Sequence, residues 1–204
     1  MLLAVRVEKR GFTQVNRDFV LWRGEVTDLG DVEIEAGTPI RVRVKTDLPP
    51  EQYLVSVRRA EELRSHATTL FIGGSLYPAA DGGYELYPGE GETVLSAMTT
   101  TTAKTPMQSK FVIVTPAQGG TTVELELHKL VSAVLHTGWV GEGRTIEIRD
   151  ALDLPVWRAW AYEKSPIQLQ LVPGHYGLNF AGGAGSPAER KIQVGDSPTE
   201  ITLD

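Results

Sequence analysis

Ile167-Gln168-Leu169-Gln170-Leu171-Val172-Pro173-Gly174-His175-Tyr176-Gly177-Leu178 is the stretch whose reading decides the fold. Its first five residues alternate apolar and polar. That is the period of a half-buried strand, which sends one set of side chains into a core and the other into water. Pro173-Gly174 then interrupts the alternation, with Pro suited to the second and Gly to the third position of a type II turn, and a new strand pattern begins.

The same alternation recurs outward from this hairpin. Val32-Glu33-Ile34, Ile40-Arg41-Val42-Arg43-Val44, Val123-Glu124-Leu125-Glu126-Leu127, Ile146-Glu147-Ile148 and Ile201-Thr202-Leu203 all read as antiparallel strands wet on one side. Turn chemistry separates them at Gly73-Gly74, Asp81-Gly82-Gly83, Pro88-Gly89, Gly119-Gly120 and Ala181-Gly182-Gly183. Arg59–Arg64 is rich in helix formers and predicts one helical turn after a strand over Tyr53–Val57. The Thr99–Thr102 run reads as an exposed strand or loop rather than a binding face.

Internal repetition organises these strands. Segments 27–34, 120–127 and 197–203 share a small polar turn followed by apolar, polar, apolar alternation, and they align on Val32, Val123 and Ile201. Tyr84–Gly89 and Leu169–Gly174 both end a strand in Pro-Gly. The interval is roughly 80–90 residues, a size that suits a seven-stranded sandwich somewhat below the ~100 residues of immunoglobulin-type domains. The fold class expected is all-β: tandem antiparallel β-sandwiches with little helix.

Composition bounds the function. The 204 residues exceed the usual single-domain mode of about 100–150. No window approaches the roughly 20 uninterrupted apolar residues of a membrane helix, so no membrane insertion is expected. Met1–Val5, followed at once by Arg6, Glu8, Lys9 and Arg10, does not read as an export signal. The chain has no cysteine, which removes disulfides, thiolate metal sites and thiol nucleophiles together. A net charge of −6 argues against nucleic acid as a partner.

From Thr145–Val156, with its opening strand and Leu154-Pro155-Val156 return, through the 167–178 hairpin and Ala181-Gly182-Gly183 to Arg190–Val194 and Thr199–Leu203, the chain resembles the carboxypeptidase regulatory-like, or transthyretin-like, β-sandwich. That resemblance implies an extracytoplasmic location, envelope or secreted. One branch of the wider superfamily hydrolyses 5-hydroxyisourate with histidines, an arginine and a C-terminal Tyr-Arg-Gly-Ser. This chain ends Glu200–Asp204 without that tail, so the branch's reaction is not expected. The domain reading is 121–204 as a transthyretin-like sandwich and 35–120 as a second sandwich carrying the Pro88-Gly89 turn. Residues 1–34 form a partial unit, with strands at Leu3–Val7, Phe19–Trp22 and Asp31–Ile34 and a turn at Gly11-Phe12. Such a fragment cannot bury a face alone and needs a partner, either the next domain or the rest of a longer polypeptide.

Nothing in the pattern points to chemistry. His66, His128, His136 and His175 show no metal-ligand spacing; His128 and His136 are eight apart and would share a face only in one continuous strand, and they read as a surface imidazole and a satisfied one. No Gly-x-Ser-x-Gly elbow occurs, and the glycines of Ala181–Ser186 run into Pro187 and a strand instead of the helix start that would hold phosphate. No catalytic residue, metal or cofactor is expected.

The aromatic residues offer a different role. Trp157 and Trp160 are three apart and fall on opposite sides of a regular strand, while Trp160 and Tyr162 share a side. Those two rings either pack in the core or form a platform for sugars or a protein partner, and Trp139, in a loop between Gly138 and Gly141, is the third candidate binding residue. The expectation is a non-catalytic structural or binding module of a larger surface or envelope assembly. Its partners are other protein domains or subunits. The alternative is a carbohydrate-binding module using Trp139, Trp160 and Tyr162.

Overall fold

The computed structural model describes residues 2–20, 22–26, 28, 30–65, 76–137, 145–160, 166–181 and 190–203. Strands β1 (Leu2–Val7) and β2 (Val15–Val20) pair antiparallel as a two-stranded sheet. The next strands are β3 (Ile40–Lys45), β4 (Tyr53–Arg59), β5 (Tyr77–Pro78), β6 (Tyr84–Leu86), β7 (Thr93–Thr99), β8 (Met107–Gln108), β9 (Val112–Val114), β10 (Thr122–Glu126) and β11 (His128–Lys129). Between β4 and β5 stands a single helical turn, α1 (Ala60–Arg64). The remainder is β12 (Val131–Thr137), β13 (Thr145–Arg149), β14 (Pro155–Trp160), β15 (Ile167–Leu171), β16 (Gly174–Ala181), β17 (Arg190–Val194) and β18 (Thr199–Leu203).

These strands build two β-sandwiches in series. In the first, the sheets run β10-β3-β6-β5 and β11-β8-β7-β4, with β9 also on β7. Ile40, Val42, Leu86 and Leu125 of one sheet meet Val57, Leu95, Ala97 and Val114 of the other in a common core. The second pairs β15-β12-β18 with β14-β13-β16-β17, and Ala133, Leu135, Leu169 and Ile201 face Ile146, Ile148, Leu178 and Val194. Period-two alternation produces this directly, because every second residue of a strand lies on the shared inner face.

Among the described residues, pairing is antiparallel except at one place in each sandwich. There a late strand lies parallel to the opening strand: β10 on β3, with Val123 opposite Val42, and β18 on β12, with Ile201 opposite Leu135. Val123 and Ile201 therefore occupy the same topological position. Val32 does not. Residues 30–35 form no strand, although Val32 and Ile34 are half-buried and Glu33 and Glu35 exposed. Both long edges of β3 are already taken, by β10 and β6, so this alternating segment cannot add to the strand that follows it. The strand expected over Phe19–Trp22 likewise ends at Val20, and Trp22 is 66% exposed.

The sequence boundary between residues 120 and 121 falls inside the first sandwich, since β10 pairs with β3 and β11 with β8. Leu130 alone separates β11 from β12, and its N–H donates to the Pro106 carbonyl at 3.1 Å. His128 and His136 thus belong to separate strands in different sandwiches.

Neither Pro-Gly pair makes the expected type II turn, because neither Gly89 nor Gly174 has a left-handed φ. Gly89 is required by close approach instead: a Cβ there would lie 2.6 Å from the Gln14 carbonyl oxygen. That contact docks the N-terminal segment on the first sandwich. It is supported by Arg10, whose guanidinium donates to Glu85 at 2.8 and 3.0 Å, and by the Phe12–Ala36 bridge. At the second turn a Cβ at Gly174 would lie 3.7 Å from the ring of Tyr176, whose hydroxyl donates to the Val172 carbonyl, tying the start of β16 back to the end of β15. Burial pushes the Tyr176 phenol up to about 12.

Candidate binding surface of the second sandwich

The loop Asp150–Leu154 joins β13 to β14 and sets the geometry of this region. The Asp150 carboxylate accepts the N–H groups of Leu152 and Leu154 at 2.9 and 3.0 Å, and Asp150 N–H donates to the Leu154 carbonyl. Burial raises the Asp150 carboxyl above its ordinary value, although those two N–H donors oppose the rise. Asp153 takes a left-handed φ of 57°, which turns the chain so that Leu154 points away from its own sandwich. Leu154 is fully buried against Ala60, Val94, Leu63, Phe111 and Ile113 of the first sandwich. Beside this plug, a cavity of about 240 Å³ is lined by Gln108, Lys110 and Phe111 on one side and Leu152, Val156 and His175 on the other.

The outer face of the β14-β13-β16-β17 sheet is polar and ordered in rows. Register places Arg158, Glu147 and Asn179 side by side, then Arg149, Gly177 and Lys191, then His175 and Gln193. Glu147 is only 5% exposed despite facing away from the core. One carboxylate oxygen accepts from Arg149 Nε, and the other accepts from Arg158, whose Nε lies at 2.6 Å. Burial pushes the Glu147 carboxyl upward, but the hydrogen bonds from Arg158 and Arg149 outweigh it and hold the group below the usual carboxylate range. Arg149 is further anchored on Asp153, through its carbonyl at 3.1 Å and its carboxylate at 3.0 Å. Around Gly177, a second cavity of about 540 Å³ is lined by Arg149, Asp150, Asp153, His175, Asn179 and Lys191.

Of the three aromatic candidates, Trp139 and Tyr162 lie outside the described residues. Trp160 is the last residue of β14 and is paired with Thr145. Trp157, opposite Ile148, packs on the core. His66 also lies outside the described residues, while His128, His136 and His175 stand on β11, β12 and β16. Among the described residues, no group of three or more His, Asp or Glu is placed to hold a metal ion, and no helix is long and apolar enough to cross a membrane.

The polar residues of this face are absent from the aromatic reading of the sequence. Their signal is present in it: Glu147 and Arg149 occupy the non-core phase of Thr145–Arg149, Arg158 that of β14, and His175, Gly177 and Asn179 that of β16.

No family model matches the chain, and no curated protein matches it either. Among solved structures it is similar to the Bacillus anthracis TIE protein, with 8% identity and a TM-score of 0.35, over all of this chain and 41% of that one. It is also similar to a putative cell adhesion protein from Bacteroides ovatus, with 12% identity and a TM-score of 0.30, over 82% of this chain and 93% of that one. A third likeness is to the Bacillus cereus major pilin subunit BcpA, with 9% identity and a TM-score of 0.26, over 96% and 81%. The chain thus spans less than half the length of the first of these proteins.

Proposed function

We propose that this chain is a non-catalytic spacer and docking module, two β-sandwiches held at a set angle within a larger extracytoplasmic surface or envelope assembly. The observation that carries the reading is the junction. One residue, Leu130, links the sandwiches, and Leu154 of the second is sunk into the outer face of the first. A joint with so little free chain and a buried apolar plug suits a part that transmits position. On this reading the units divide at Leu130, not at residue 120. The transthyretin-like resemblance supports the location. Small-angle scattering of the intact chain tests the spacer: a single rigid particle is expected, and a profile that requires freely reorienting units refutes it. A turnover that a point mutation abolishes would refute the non-catalytic part.

A second reading is glycan binding through Trp139, Trp160 and Tyr162. It draws on the ladder, which pairs residue 160 with Thr145 at the end of β14, two residues beyond the Arg158–Glu147 pair. A glycan array with the three alanine variants tests it, and silence across a broad array retires it.

A further inference from the structure

We propose that the cavity over Gly177 binds a carboxylate-bearing sugar, a uronate residue of an acidic saccharide. The proposal rests on the glycan reading above and assigns it a ligand class and a different set of residues.

The hollow follows from register. Gly177 has no side chain, while its ladder neighbours on both sides, Arg149 and Lys191, do, so bare backbone forms a floor between two cationic walls. The hydrogen-bonding capacity left in the lining is uneven. Asp150 accepts from Leu152 and Leu154, and Asp153 is engaged by Arg149, which also serves Glu147. The side chains of Lys191, Asn179 and His175 make no hydrogen bond or ion pair among the described residues. Those three present mainly donors, and Lys191 is the one cation of the lining without a counter-charge among the described residues.

A single carboxylate meets that demand, accepting charge-assisted hydrogen bonds from the ammonium and from the Asn179 amide. A bare multivalent anion does not, because the Asp153 carboxylate lies on the same rim. A sugar ring presents hydroxyls, which donate to Asp153 and exchange hydrogen bonds with His175. Size agrees, since about 540 Å³ lies within the roughly 300–1,000 Å³ of small organic-ligand sites and far exceeds what one carboxylate fills.

The test is calorimetric titration of the full chain with trigalacturonate, a neutral trigalactoside and sodium acetate. Saturable uronate binding is expected, with the neutral sugar and acetate each at least about tenfold weaker. Lys191→Gln should weaken uronate binding about tenfold or more, as loss of a charge-assisted hydrogen bond does. Asn179→Ala should weaken it several-fold. Both side chains lie outside the two cores, so circular dichroism should show the variants folded. Absence of saturable uronate binding, equal binding of the neutral sugar or of acetate, or indifference to Lys191→Gln each overturns the proposal. An array signal on neutral sugars that Trp160→Ala abolishes overturns this assignment and leaves the aromatic glycan reading standing. Uronate binding that survives Trp160→Ala but not Lys191→Gln supports it.

Discussion

Leu154→Ala isolates the coupling between the sandwiches, because Leu154 belongs to neither large core and is fully buried in the cluster between them. Truncating a buried leucine costs about 2–5 kcal/mol, the spread depending on how far the site collapses. Two features of this site pull in opposite directions. The Asp150–Leu154 loop is held by internal hydrogen bonds and cannot follow the shortened side chain, whereas Leu63 and Phe111 are only partly buried and can lean inward. The expected loss is about 3 kcal/mol, a factor of ~150 in the equilibrium at 1.4 kcal/mol per decade. For a chain of this size that lowers the melting midpoint by roughly 6–12 °C. Because each sandwich keeps its own core, the loss should fall on their cooperation: a single calorimetric transition should separate into two. Leu154→Met conserves volume and should cost less than ~1.5 kcal/mol. A change under ~0.5 kcal/mol for Leu154→Ala, with the transition unsplit, refutes the reasoning.

Glu147→Gln strips the charge from between two arginines and should destabilise the second sandwich by about 3 kcal/mol, the low end for a broken buried pair because Arg158 is 30% exposed and relaxes into water; urea titration measures it. In the parent chain the depressed Glu147 carboxyl contributes stability that is complete above its unfolded value near 4.5 and disappears as pH falls through its lower folded value, so the variant's midpoint should be flatter across that acid window. Tyr176→Phe leaves the Val172 carbonyl buried without its donor and should cost about 1–2 kcal/mol by the same titration. Its phenol titrates in the fold near 12 against 10.0 ordinarily, so the parent should lose stability as pH rises between those values and Tyr176→Phe should not. Gly89→Ala drives a methyl into the Gln14 carbonyl, so hydrogen exchange over residues 7–15 should quicken while the 40–127 core keeps its protection.

Strands β15 and β18 of the second sandwich were legible because their outer faces are wet and their alternation is clean, whereas β12, Val131–Thr137, went unread. Strand β7 was not legible either. Thr93-Val94-Leu95-Ser96-Ala97 is buried at every position, because its inner side packs in the first core and its outer side under Leu154, and a strand covered on both faces carries no period of two. Alternation also misled at Val32–Ile34, where the pattern exists but the strand that follows it, β3, is already paired on both edges. The Pro-Gly pairs marked strand ends but not hairpins: β15 pairs with β12 while β16 pairs with β13 and β17, so the chain crosses there from one sheet to the other, as it does between β6 and β7, and close packing rather than left-handed backbone demands the glycine at 89. On the candidate surface, Glu147 and Arg149 read as ordinary solvated residues. Only the ladder, which sets Arg158 beside Glu147 and Lys191 across Gly177, shows that charge is concentrated there.

The parallel contact of β3 with β10, and of β12 with β18, governs how each sandwich bears tension. With β3 and β10, or β12 and β18, side by side and pointing the same way, the chain arrives at one end of the pair and leaves at the other. Stretching a unit by its two termini slides the strands lengthwise past each other and loads all five registered pairs together, so they cannot be peeled apart one at a time. Resistance to being pulled open is then set by the rate of that concerted rupture and not by equilibrium stability.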